Sequence, residues 1–129
     1  MINFFNKYKI IFYFINICLI FIYLFPGSIF GCIFLKNCKV QPQITPDLAF
    51  ISSNHFYAFF ILSVIGYFTF YKKKQIRYLF IYLSFVSIFL EIFHLFIPER
   101  SFQLSDLFGN LLAVVVVILI YNLINKYGI

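Results

Sequence analysis

Four long apolar runs divide the chain and limit what it can fold into. They cover residues 8–25, 55–71, 78–97 and 107–124. A helix needs about 20 mostly apolar residues to cross a bilayer, whereas a membrane strand alternates apolar and polar residues over about ten positions. Each run is apolar on every side and too long for such a strand. The runs therefore predict an all-α polytopic membrane protein with four transmembrane helices in an up-down bundle.

The composition agrees with this prediction and limits the partners. Of the 129 residues, 64% are hydrophobic and 11% are charged, against about 45–50% and about 25% in soluble domains. Four spans use nearly the whole length, so we expect a single membrane domain over residues 1–129. The net charge is +6, but the basic residues lie between the apolar runs and form no stripe with exposed aromatic residues. Nucleic acid is therefore not an expected partner.

The lysine and arginine residues predict the orientation, because cytoplasmic loops carry an excess of them. With the amino end in the cytoplasm, the outer side holds three basic residues and the inner side seven. The outer set is Lys36, Lys39 and Arg100, and the inner set is Lys7, Lys9, Lys72, Lys73, Lys74, Arg77 and Lys126. We therefore expect a multi-pass protein of the inner (plasma) membrane with both termini cytoplasmic.

The start of the chain permits a second interpretation. A basic beginning, an apolar stretch and "IFGC" ending at Cys32 loosely resemble a lipoprotein signal, whose cleavage would remove the first span. Phe30 is too large for the small residue expected before the glycine, which favours the uncleaved chain. Cys32 and Cys38 share one loop, and either a disulfide or two free thiols suits them there.

Polar residues scattered along the chain are expected to meet at the outer end of the bundle. Helices of alternating direction bring together the start of span two, the end of span three and the start of span four. Glu91 precedes Pro98 by seven residues, which places it about 10 Å inside a helix that ends there. A charge at that depth is costly and indicates a site or a partner. The sequence thus predicts an outward-facing polar pocket formed by His55, Glu91, His94, Arg100, Asp106 and Asn110.

Spacing supports a shared pocket but leaves its role open. Glu91 and His94 are three residues apart, and Asp106 and Asn110 four, so each pair projects from one side of its helix. Structurally, Glu91 could accept a hydrogen bond from Arg100 or a histidine and fix the helix packing. Arg100 could act as an interfacial anchor, and Ser105 with Asp106 could cap a helix.

Chemistry at the same residues is the alternative. The two histidines with Glu91 and Asp106 suit a mononuclear metal site. One Glu-x-x-His motif is too few for the di-iron bundles, which use two with two further glutamates. Glu91 or a histidine could also act as a general base. The sequence names no cofactor, and it does not decide between binding, catalysis and packing.

The stretches "NHFYAFFILSVIGY" and "EIFHLFIPERSFQLSDLFGN" resemble the VanZ-like family of small bacterial membrane proteins. That family's pattern has a histidine opening one span, a glutamate near the end of the next, then Pro-x-Arg, an aspartate and an asparagine four residues later. The matching residues, within 54–115, are His55, Glu91, Pro98, Arg100, Asp106 and Asn110.

Three positions depart from the family pattern. Ser53-Asn54 stands where Asp-Lys is usual, His94 where Gln is usual, and Ala113 where Gly is usual. The first change removes a possible acid, and the second changes the hydrogen-bonding character of the pocket. The resemblance therefore leaves open whether any activity of the family is altered in this chain.

The resemblance implies a role in the bacterial cell envelope. The family takes its name from a member linked to resistance to the glycopeptide teicoplanin, and no general biochemical activity is established for it. We expect the pocket to bind a membrane lipid or a glycan-linked head group, such as that of a peptidoglycan precursor, with Arg100 meeting an anionic group. The alternatives are a membrane-embedded enzyme that uses Glu91 or the histidines, with or without a metal, and an assembly protein whose polar residues only hold the bundle together.

Overall fold

A computed structural model describes residues 4–128 and contains five helices. They are α1 (Phe4–Leu24), α2 (Ile29–Leu35), α3 (Ser53–Thr69), α4 (Lys73–Phe93) and α5 (Leu104–Tyr127). The predicted all-helical class is confirmed. The predicted domain of residues 1–129 includes residues 1–3 and 129, which lie outside the described residues.

The four long helices alternate in direction. The hydroxyl of Thr69, at the end of α3, donates to the carbonyl of Tyr8 near the start of α1 at 3.4 Å. The amide of Ser52 donates to the carbonyl of Ser105 at 3.0 Å, which joins the starts of α3 and α5. The first turns of α4 and the last turns of α5 line one recess at the opposite end. The ends of α1 and α4 therefore meet the starts of α3 and α5.

The core lies between these four helices and is apolar. Phe12, Phe59, Leu62, Leu83 and Ala113, one or two from each helix, are almost completely buried. Because a protein interior is packed at close to crystal density, removing such a side chain leaves a cavity that destabilises the fold.

Gly66 permits a close approach of α3 to α1 and α4. A Cβ atom there would lie 2.8 Å from a methyl carbon of Leu79 and 3.0 Å from the ring of Phe12. Small residues have this role in many membrane helix bundles, where they allow neighbouring helices to pack closely.

Two helices, α4 and α5, are long and apolar enough to cross a membrane among the residues described. Residues 8–24 of α1 together with α2 make a third candidate if this pair, bent by 80°, forms one span. The 17 residues of α3 extend about 26 Å at 1.5 Å per residue, less than the roughly 30 Å of a bilayer core. Large apolar side chains such as Phe14 and Phe85 face outward, as suits contact with lipid.

The end of α4 corrects one prediction. The sequence placed the end of this helix at Ile97, but the α-helix ends at Phe93. There the amides of Leu95 and Phe96 bond to carbonyls three residues back, at 3.1 and 2.9 Å, and such tighter bonds are common where a helix ends. Glu91 therefore lies two residues from the helix end, and not about 10 Å inside the helix.

The segment between α2 and α3 is folded against the start of α3. A disulfide joins Cys32 to Cys38. The side chain of Asn54 accepts from the amide of Ile44 at 3.0 Å and donates to the carbonyl of Pro42 at 2.7 Å. These bonds place the segment beside the meeting point of the four long helices. The sequence did not predict α2, whose seven residues are too few to form a span.

Candidate polar binding site

The structure places all six predicted pocket residues at one end of the bundle. His55 lies on the first turns of α3, Glu91 and His94 at the end of α4, Arg100 in the α4–α5 connection, and Asp106 with Asn110 on the first turns of α5. Glu91 and Asn110 are 0% exposed and His94 is 1% exposed, while His55 and Asp106 each keep 14% of the side chain accessible. Glu91, His94 and Asn110 thus form a buried floor of the site, whereas His55 and Asp106 face outward.

Glu91 and His94 form a buried pair that must share a proton. The Nε2–H of His94 donates to the carbonyl of Tyr23 at 3.0 Å, because a carbonyl can only accept. Its Nδ1 lies 3.3 Å from Oε1 of Glu91, and the same oxygen accepts from the amide of Gln103 at 2.9 Å. A bare nitrogen beside a bare carboxylate would repel it, so a proton lies on one of the two. Either way the pair is neutral as a whole, which limits the cost of burying it.

His55 and Asp106 form a second pair, nearer to the surface. Nε2 of His55 lies 3.4 Å from Oδ2 of Asp106, and the hydroxyl of Ser52 donates to the same carboxylate. The proposed capping role of Ser105 and Asp106 is not observed: α5 begins earlier, at Leu104, with Gln103 at the N-cap and without a side-chain capping bond there. Asp106 still lies in the first turn, where the helix dipole favours a negative charge.

Tyr23 connects the two pairs to Asn110. Its hydroxyl donates to Oδ1 of Asn110 at 2.9 Å. The ring centroid lies 4.9 Å from that of His55 and 6.0 Å from that of His94. One residue of α1 thus contacts residues of the other three long helices, so the orientation of both histidines depends on how α1 packs.

Arg100 binds the end of α1. Its Nε and one terminal nitrogen donate to the carbonyls of Phe25 and Ile22 at 3.2 and 3.1 Å, which are among the carbonyls that a helix end leaves without partners. Partial burial lowers the pKa of Arg100 from its ordinary value, and the nearby Tyr23, Asp106 and Glu91 oppose that shift. The guanidinium remains charged, and one terminal nitrogen is left over for another partner.

An open polar cavity of about 260 Å³ lies above the buried floor. Its lining includes His55, His94, Arg100, Gln103 and Asp106. Next to it runs a mostly apolar groove of about 340 Å³, between α1, α2 and α3. The two share a border formed by Gln41, Asn54, His55 and Arg100, so a molecule that fills both would place a polar part against one and an apolar part against the other.

Several atoms of the cluster are buried without a hydrogen-bond partner among residues 4–128. They include Oε2 of Glu91, Nδ1 of His55 and Nδ2 of Asn110. One ligand atom each from His55, Glu91 and Asp106 lies within 4.8 Å of the other two. Buried polar groups are nearly always paired in native proteins, so each of these atoms is a candidate contact for something bound.

Sequence reasoning missed Tyr23, Gln103 and Ser52. Tyr23 lies near the end of an apolar run, where a tyrosine is normally attributed to the membrane interface. Gln103 acts through its backbone amide, which every residue but proline carries, so no residue type signals that contact. Ser52 comes directly before a second serine, Ser53, and nothing in the sequence distinguishes one from the other.

Comparison of the chain with protein-family models, with curated proteins and with solved structures finds no match. The resemblance to the VanZ-like family stays a prediction that rests on the residues quoted for it.

Proposed function

We propose that this chain is a VanZ-like protein of the bacterial cell envelope whose polar cavity binds the head group of an amphipathic lipid. The adjoining groove would hold an apolar chain of the same molecule. One observation carries the proposal: the polar cavity and the apolar groove share a border at Gln41, Asn54, His55 and Arg100. Ligand sites commonly combine an apolar lining with a few polar groups that fix orientation.

The proposal includes four spans, α1, α3, α4 and α5, with both termini in the cytoplasm. The short α3 would cross by local thinning of the bilayer, at a modest cost. The seven-residue α2 would lie along the outer surface, where Ile33 and Phe34 are exposed. The disulfide between Cys32 and Cys38 supports an outer position for the pocket, because disulfides persist in oxidising compartments.

The cavity offers complementary groups to a head group that carries both an anion and hydroxyl or amide groups. The remaining donors of Arg100 and the ammonium of Lys39, which lines the cavity, would meet a phosphate or carboxylate. Asp106 and the side chain of Gln103 would accept hydrogen bonds from hydroxyls or amides. Glycan-linked envelope lipids, including peptidoglycan precursors, have this combination of groups.

Native mass spectrometry of the full chain, purified in mild detergent, tests the proposal. We expect the parent protein to retain one lipid molecule through delipidation. Ala58→Phe fills the groove, of which Ala58 is a lining residue, and should reduce the retained lipid by at least about tenfold, roughly 1.4 kcal/mol. The matched control is Ile81→Phe, which places the same ring on the outward, 55% exposed surface of α4.

Loss of lipid in Ala58→Phe but not in Ile81→Phe supports the proposal. Equal retention by both variants and the parent, or no retention by the folded parent, contradicts it and favours the assembly protein with a packing network. Lys39→Gln then separates the parts of the site: a change in which head groups are retained, with the amount unchanged, would assign head-group contact to the cavity.

A further inference from the structure

The two histidines of the cluster differ in what their nitrogens contact. Both ring nitrogens of His94 are engaged, one by the carbonyl of Tyr23 and the other by Glu91. His55 faces only Asp106 through Nε2, and its Nδ1 has no hydrogen-bond partner within the described part of the chain. His55 is therefore less constrained by the protein than His94, and its Nε2 and Oδ2 of Asp106 face each other without a further partner that fixes the ring.

His55, Glu91 and Asp106 come from three different helices, α3, α4 and α5, and offer ligand atoms within 4.8 Å of one another. Zn²⁺ binds nitrogen and oxygen ligands at about 2.0–2.2 Å, so two ligand atoms of a tetrahedral site lie roughly 3.3 Å apart. Nε2 of His55 and Oδ2 of Asp106 are already 3.4 Å apart. The ligand atom of Glu91 lies within 4.8 Å of the other two, so it must approach them by up to about 1.5 Å to complete one face of the tetrahedron.

Glu91 provides an independent indication of a bound cation. Its Oε1 receives the amide of Gln103 and lies beside His94, while its Oε2 is buried and accepts no hydrogen bond from residues 4–128. A buried carboxylate oxygen without a hydrogen-bond partner costs more free energy than a buried neutral group without one. A divalent cation bound to Oε2 would satisfy that oxygen.

The surroundings resemble the outer shell of known metal sites. Ligands in such sites are themselves held by hydrogen bonds, which fix their orientation. Here His94 and the amide of Gln103 hold Glu91, and the hydroxyl of Ser52 holds Asp106. His55 and Asp106 also line the open polar cavity, whereas Glu91 does not. Three protein ligands with a fourth position open to a cavity are typical of catalytic zinc sites.

We propose that His55, Glu91 and Asp106 bind one divalent transition-metal ion, with Zn²⁺ the best fit, and leave one coordination position open to the polar cavity. The mixed nitrogen and oxygen ligands suit Zn²⁺ and its neighbours in the first transition row better than Ca²⁺ or Mg²⁺, which prefer oxygen ligands alone. Metal binding does not depend on the proposed lipid binding, since the ligands belong to the protein.

Equilibrium dialysis of the full chain in mild detergent tests this proposal. The purified protein is stripped with a chelator, equilibrated with ZnCl₂ and analysed for metal after gel filtration. We expect one Zn²⁺ per chain in the parent, and at least about a tenfold weaker affinity in Asp106→Asn and in Glu91→Gln, since even outer-shell changes cost that much. Glu99→Gln is the control, because Glu99 lies in the α4–α5 connection and pairs with exposed Lys39 at 3.7 Å.

The comparison between variants decides the result. Stoichiometric Zn²⁺ in the parent and in Glu99→Gln, lost in Asp106→Asn, supports the site. A folded parent without Zn²⁺, or an affinity that Asp106→Asn leaves unchanged, overturns it. If Glu91→Gln fails to fold, Asp106→Asn and His55→Gln still decide, because both side chains are partly accessible and less important to packing. Substituting Co²⁺ for Zn²⁺ adds a second readout, since its visible absorption reports a tetrahedral nitrogen and oxygen site directly.

Discussion

One end of the bundle contains all four acidic residues and both histidines of the chain, and the other contains seven of its ten basic residues and no acidic residue. At the pocket end Glu91 and His94 are buried and paired with each other. At the opposite end Lys73, Arg77 and Lys126 surround an open recess and are exposed. Glu91 and His94 are thus removed from water, whereas the basic side chains around the recess stay in it.

This difference decides what each set of charges can do. A buried charge depends on its particular neighbours, and removing one partner leaves the other without compensation. Exposed lysines interact weakly with any single group, and their sum influences orientation across the membrane. We therefore expect large, residue-specific effects at the pocket end and small, interchangeable effects at the basic end.

The largest effect is expected from Glu91→Leu. This change leaves His94 without its partner in a buried site, which typically costs about 3–5 kcal/mol. Reversible unfolding in mixed micelles, followed by circular dichroism, measures the change in the free energy of unfolding. Lys72→Gln, at the basic end, is the control and should change it by less than about 0.5 kcal/mol.

A double variant sharpens this result. Replacing the whole pair, in Glu91→Leu with His94→Phe, should recover most of the lost stability, because apolar residues in place of a buried pair are often neutral. If Glu91→Leu alone leaves the free energy of unfolding unchanged, Glu91 and His94 do not stabilise each other. That result would contradict the expected difference between the pocket end and the basic end.

The next effect is expected from opening the disulfide. Cys32→Ser with Cys38→Ser removes a link over a separation of six residues, which by chain entropy is worth about 2 kcal/mol. Hydrogen exchange should rise in residues 36–52 beside the cavity, and it should not change at the start of α4. Faster hydrogen exchange in both regions of the variant would show that the two ends of the bundle unfold together, and it would contradict a local effect of the disulfide.

Much of the fold could be predicted from the sequence, because an apolar run of a given length has few options in a membrane. The convergence of His55, Glu91 and Asp106 also followed from helix direction alone. The position of the end of α4 could not be predicted in this way, since residues 95–97 are as apolar as the helix before them. There the chain turns because the backbone tightens before Pro98, a conformational choice that hydropathy does not encode.

The hydrogen-bond partners of the site residues were harder to predict than the identity of those residues. Arg100 was expected to meet Glu91 or a ligand, yet it donates to two carbonyls of α1. Asn54 holds the segment between α2 and α3 through both the oxygen and the nitrogen of its side-chain amide. Nearly every residue has the same backbone carbonyl and amide groups, so a contact to the backbone does not depend on the residue type of the partner. Residue patterns therefore cannot predict such contacts.

A moderate effect is expected from Tyr23→Phe. The change removes the hydrogen bond to Oδ1 of Asn110, whose Nδ2 already has no partner in the described chain, so the buried amide loses its remaining bond. Hydrogen bonds between membrane helices are worth about 0.6 kcal/mol on average and at most about 1.7, and we expect a loss of roughly 1 kcal/mol. Tyr13→Phe, on the exposed side of α1, is the matched control in the same unfolding assay.

The smallest effect on stability, with the clearest effect on orientation, is expected at the basic end. Changing Lys72, Lys73, Lys74, Arg77 and Lys126 together to Gln leaves, in the proposed topology, Lys7 and Lys9 on the inner side against three basic residues on the outer side. Each single change should alter stability by less than about 0.5 kcal/mol, but the combined change removes the inner excess that sets orientation. A membrane-impermeant thiol reagent, applied from outside to Tyr127→Cys in a Cys18→Ser background, should label the combined variant and not the otherwise unchanged chain. Labelling of that chain from outside would place the carboxyl terminus outside and the pocket in the cytoplasm, and the basic end would then have to be explained by something other than topology.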